Sequence, residues 1–73
     1  MFQYKLVLKL YDTLKKEPMT VVQLFEHFDR KVRPDAIDDA LIEGRKKYKL
    51  ITTVRYDHRD ESITYGAVGV KYD

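Results

Sequence analysis

Two groups of side chains in this chain have residue types and spacing suited to chemistry, and both are charged. Arg30, Lys31 and Arg33 crowd one short segment, and cations this close together can neutralise the phosphates of a duplex. Just beyond them, Asp35, Asp38, Asp39 and Glu43 surround Ile42. Carboxylates around an aliphatic residue suit a basic protein partner, because charge steers the encounter and the aliphatic group supplies buried area. Catalysis has no comparable set. The chain has no cysteine, no serine–histidine–aspartate order and no glycine-rich phosphate loop, so no enzymatic activity is expected. His58 with Asp57, Asp60 and Glu61 has the residue types of a metal site, but a polar connector of this kind is more simply solvated. No metal or cofactor is expected. His27, between Phe25 and Phe28, reads as a surface or boundary residue. The six tyrosines invite base stacking, yet Tyr4, Tyr11 and Tyr48 fit helical core positions, where packing with a solvated hydroxyl accounts for them.

These residues must be positioned by a small scaffold. Seventy-three residues make a single domain, 1–73, whose core is close to the minimum. Without cysteine, stability has to come from packing and local structure. No apolar run reaches the roughly 18 residues of a membrane span, and Met1 opens directly into periodic sequence without a signal peptide. No membrane association is expected, and the cytoplasm is the expected compartment. The net charge of +2 is unevenly distributed. Residues 1–33 carry seven Lys/Arg against four Asp/Glu, residues 34–50 four of each, and residues 51–73 three against four. A mildly basic N-terminal half is compatible with nucleic acid without being the footprint of a strongly basic domain.

The N-terminal segment alternates like a strand up to Leu10. Its helical reading runs further, from Tyr4 to Lys16, with Tyr4, Val7, Tyr11 and Leu14 on one face and Lys5, Lys9, Asp12 and Lys16 opposite. Pro18 disfavours helical geometry at Glu17 and ends that helix. Thr20 caps a second helix, about Val21 to Phe28, and Gln23 sits three residues on to complete a capping box, with Met19 placed to staple onto Leu24. Residues 29–33 form a polar turn anchored by Val32. A third helix starts near Pro34 or Asp35, with Ile37, Ala40, Leu41, Gly44 and Tyr48 on its apolar line. Residues 50–56 read as a strand, residues 57–61 as a connector, and residues 62–65 as the return strand of a hairpin. Gly66 and Gly69 predict a bulge or bend before Val70-Lys71-Tyr72.

Across residues 4 to about 65 the chain resembles the winged helix-turn-helix superfamily. Leu10, Tyr11 and Leu14 resemble apolar positions of the family's first helix, and Pro18, Met19, Thr20 and Leu24 its approach to the second. Val32, Ile37 and Leu41 keep the spacing between the turn and the core of the recognition helix, and Leu50-Ile51 resembles the start of the first wing strand. The resemblance implies an α+β fold, three helices followed by a C-terminal antiparallel β-hairpin, the wing. Two positions depart from the pattern. The usual glycine before the wing is replaced in the Tyr48-Lys49 region, and Arg33 stands where a Ser or Thr cap is common.

The resemblance implies a DNA-binding protein, a transcriptional regulator whose helix 2–helix 3 turn and third helix meet duplex DNA. Arg30, Lys31 and Arg33 would contact phosphates, and the third helix would present Asp38, Asp39, Ile42, Arg45 and Lys46. Acids on the entering end suit a phosphate-lined groove poorly, and the connector Asp57 to Glu61 is net negative. Acids early in the helix and Arg45, Lys46, Lys47 and Lys49 late in it also complement the helix dipole. The alternative is a protein-interaction module that uses the acidic face of the third helix, with Ile42 exposed at its centre. Residues 68–72 could add an edge strand through which two copies pair as a homodimer.

Overall fold

The computed structural model describes the backbone over residues 2–72 and the side chains over residues 4–72. Met1 and Asp73, the ends of the expected domain, lie outside the described residues. The described chain runs α1 (Phe2–Lys16), α2 (Val21–His27), α3 (Pro34–Lys46), β1 (Ile51–Asp57) and β2 (Ser62–Ala67). Three helices followed by an antiparallel hairpin are the α+β layout of a winged helix.

Helix α1 stops at Lys16, just before the residue that Pro18 restricts. Proline also leaves the Leu14 carbonyl without its usual partner, because the amide four residues on has no N–H. Tyr72 fills the gap: its hydroxyl donates to the Leu14 carbonyl and accepts from the Ala67 N–H at 2.7 Å. Helix α2 starts as the local signals dictate. The Thr20 hydroxyl accepts from the Gln23 N–H at 3.2 Å, and the Gln23 side chain accepts from the Thr20 N–H at 2.9 Å. Met19, packed against the core, also exchanges two backbone hydrogen bonds with Tyr65, at 3.0 and 2.8 Å. It thereby forms a one-residue third strand beside β2, giving the order Met19–β2–β1. That pairing ties the start of α2 to the wing.

The core is Val7, Leu10 and Leu14 of α1, Leu24 of α2, Ile37, Ala40 and Leu41 of α3, and Ile51, Tyr65 and Ala67 of the hairpin. Gly44 lets α3 lie against β1. A Cβ there would stand 2.6 Å from Ile51 Cδ1 and 3.3 Å from Val7 Cγ1, closer than packed carbon atoms come. After α3 the chain reverses through Lys49 at φ 55°, in the left-handed region that favours glycine.

Four expectations are corrected by this packing. The buried line of α1 is Val7, Leu10 and Leu14, while Tyr4 is 44% exposed, because the buried face of the helix centres on Val7 and Leu10 and Tyr4 meets Tyr48 at the edge of the core. Helix α2 ends at His27 and Phe28 is its C-cap. Gly66 does not interrupt β2. It pairs with Thr52, and the irregularity falls opposite, at Val54 of β1. A Cβ on Gly66 would meet Val54 Cγ2 at 2.6 Å and Tyr72 Cε2 at 2.8 Å, so the missing side chain makes room for the tyrosine ring. Residues 68–72 form no strand; they turn through Gly69 at φ 86° so that Tyr72 can reach α1. The edge expected to pair two copies is absent there.

Candidate interaction surface

The turn between α2 and α3 is built on two consecutive left-handed residues, Asp29 (φ 57°) and Arg30 (φ 60°). Their amides return to the end of α2, Asp29 N–H to the Glu26 carbonyl at 3.0 Å and Arg30 N–H to the Phe25 carbonyl at 2.9 Å. This reversal folds the Arg30 side chain back along α2. Its guanidinium grips the Glu26 carboxylate with Nε 3.0 Å from Oε2 and the terminal nitrogen 2.8 Å from Oε1. The hydrogen bond from Arg30 holds the Glu26 carboxyl below its ordinary range, and the same pairing raises Arg30. Arg33 adopts the extended N-cap geometry of α3 without a side-chain cap bond, and its Nε lies 3.4 Å from Asp35 Oδ1. Of the three cations expected at phosphates, two face their own carboxylates. Lys31 is exposed and makes no ion pair among the described residues.

On α3 the expected surface group is present. Asp38, Asp39 and Ile42 are exposed and Glu43 is half-buried, with Ile42 43% accessible. Ile42 follows Asp38 by four residues and so shares its face. Arg45 and Lys46 are exposed at the other end of the helix, about 10 Å further along its axis. His27 is exposed, edge-on to Phe28 at 5.3 Å.

The tertiary fold adds what the linear pattern does not reveal. Between α2, α3 and the wing lies a groove of about 340 Å³ with Val22, Ile63 and Tyr65 on its apolar side and Asp38, Asp60 and Glu61 around it. Val22, 70% exposed, projects from the first turn of α2. The Asp60 carboxyl is held below its ordinary range by hydrogen bonds from the Ser62 side chain and then its backbone amide, which keeps that wall anionic. Burial pushes the Tyr65 phenol up, the Asp38 carboxylate adds to this and Arg45 opposes it, so its hydroxyl is neutral. A larger cavity of about 700 Å³ lies on the wing's other side, where Arg55 and Arg59 face Glu17 and Asp57. Arg55, Arg59 and the Val22 groove escape a reading by segments, since α2, α3 and the wing are distant in sequence. The exposed aliphatic at Val22, on a helix whose other apolar residues turn inward, is the one local signal.

No protein family, curated protein or solved structure matches this chain.

Proposed function

We propose that the domain is a protein-interaction module that receives a basic, partly apolar segment of its partner between α3 and the wing. The observation that carries this reading is the groove itself, apolar along Val22, Ile63 and Tyr65 and bordered by Asp38, Asp60 and Glu61. A duplex lying against α3 and the wing would bring phosphates towards these carboxylates, which repel them. A lysine- or arginine-rich segment is attracted by the same groups; Val22 and Ile63 supply apolar area within the groove, and Ile42, four residues beyond Asp38 on the same face of α3, extends it outside.

A second reading, a winged-helix DNA-binding protein, is favoured by the helix-and-wing layout and by Lys31, Arg55 and Arg59, which are exposed. Titrating the 15N-labelled domain with an amphipathic Lys/Arg-rich peptide, and separately with a short duplex, distinguishes the two. The protein reading expects the peptide to shift Val22, Asp38, Ile42 and Ile63. Ile42→Asp then abolishes the shifts at an unchanged melting temperature, and Asp38→Asn with Asp39→Asn slows association and reduces its salt sensitivity. Duplex binding that moves Lys31, Arg55 and Arg59 while the peptide has no effect supports the DNA reading instead. Unfolding of Ile42→Asp would assign Ile42 to the core and remove it from the surface.

A further inference from the structure

The end of the molecule where α1 begins and α3 finishes has the opposite chemistry to the groove. Tyr4 and Tyr48 meet there with ring centroids 4.9 Å apart and planes tilted by 50°, and Lys47 holds its ammonium 5.4 Å from the Tyr48 ring centre. With Lys5 these residues line an open recess of about 680 Å³. Among the described residues no carboxylate lines it, and neither Lys5 nor Lys47 is ion-paired. Lys46 and Lys49 are exposed on the same stretch of chain. Tyr4 is 44% exposed, so its contact with Tyr48 leaves part of the residue open to solvent.

We propose that this recess is a binding site for single-stranded nucleic acid, in which Tyr4 stacks on one base while Lys5 and Lys47 meet the flanking phosphates. Exposed rings beside cations are what an unpaired strand requires: each base offers a π-face for stacking, and each phosphate an anion. A duplex presents phosphates but keeps its base faces stacked inside, so it gains only the electrostatic part. An acidic peptide would satisfy the lysines, yet among the described residues the recess offers no aliphatic pocket for an anchor, only two rings and two lysine stems. The proposal is independent of the α3 groove, which lies on other residues.

The test uses fluorescently labelled dT12 and U12, a 12-base-pair duplex and a (Glu)12 peptide, each titrated with the whole chain while anisotropy is followed. One of the single strands should bind more tightly than the duplex. Its log–log salt slope should be about −1.4, the value for two phosphates neutralised on a single strand. Tyr4→Ala should weaken single-strand binding about tenfold, while Tyr4→Phe keeps it, because the face and not the hydroxyl is used. Lys47→Gln should flatten the slope by about 0.7. Circular dichroism of each variant reports folding, and the Tyr4→Phe and Lys47→Gln results stand even if Tyr4→Ala proves unstable. Equal binding of duplex and single strand overturns the proposal, as does single-strand affinity unaffected by Tyr4→Ala in a folded variant. A Tyr4-dependent complex with (Glu)12, while neither oligonucleotide binds, would overturn it in favour of an acidic protein partner.

Discussion

Replacing Tyr72 with Phe removes one oxygen atom and two hydrogen bonds while leaving the ring that fills the space over Gly66. The hydroxyl is the acceptor for the Ala67 N–H and the donor to the Leu14 carbonyl. Both residues are buried, Ala67 at 1% exposure and Leu14 at 0%. Neither group has an obvious replacement. Pro18 cannot supply the amide that a continuing helix would offer Leu14, and in the sheet Ala67 lies opposite Ile51 at the end of the ladder. A buried polar group left unpaired costs about 1–3 kcal/mol. The bonds are only partly buried, so water recovers some of the loss and the low end applies to each, about 2 kcal/mol together. For a 73-residue domain that is a large share of the expected total of about 4–11 kcal/mol. It corresponds to a fall in melting temperature of about 8–16 °C. Urea unfolding of wild type and Tyr72→Phe should show a lower midpoint at unchanged slope, and hydrogen exchange should show the Ala67 amide losing protection. A stability change below about 0.5 kcal/mol, or an Ala67 amide protected as before, would refute the idea that Tyr72 completes the end of α1.

Two further expectations concern the elements that carry the candidate surface. Thr20→Ala removes the hydroxyl that accepts from Gln23 and should destabilise the domain by about 1 kcal/mol in urea unfolding; an unshifted midpoint would mean the cap contributes nothing to α2. The Glu26 carboxyl, held low by the hydrogen bond from Arg30, should titrate below an ordinary glutamate by NMR and return to the ordinary range in Arg30→Ala. Because its folded value is the lower one, the pair's contribution is present above the unfolded glutamate pKa and is lost as pH falls through the folded value.

The local elements were legible because their causes are local. Pro18, Thr20 and Gln23 dictate where α1 stops and α2 starts through backbone sterics and hydrogen bonds that span only a few residues. The Ile37, Ala40, Leu41 and Gly44 line of α3 follows from helical periodicity, and all four are buried. Exposure of Ile42 among carboxylates followed from the same periodicity. What these residues could not disclose was which groups from different segments would meet.

Periodicity places Tyr4 on the face of Val7 and Leu14, but whether that face reaches the core depends on how α1 is rotated against α3. Only packing decides this, and it buries Leu10 and leaves Tyr4 outside. Arg30, Lys31 and Arg33 look alike as a run of cations. The left-handed turn at Asp29 and Arg30 folds one guanidinium onto Glu26 and leaves Lys31 without a carboxylate partner among the described residues. Gly66 looks like a strand breaker until Tyr72, distant from α1 in sequence but tied to it in space, is seen to need the room. The groove lined by Val22, Ile63 and Tyr65 likewise joins residues of α2 and the wing, which Met19 links by pairing with Tyr65. Backbone propensity acts over single turns and strands and is therefore written locally. Helix rotation, ion-pair choice and groove formation are settled by contacts between distant residues, so they appear only when the whole chain has packed.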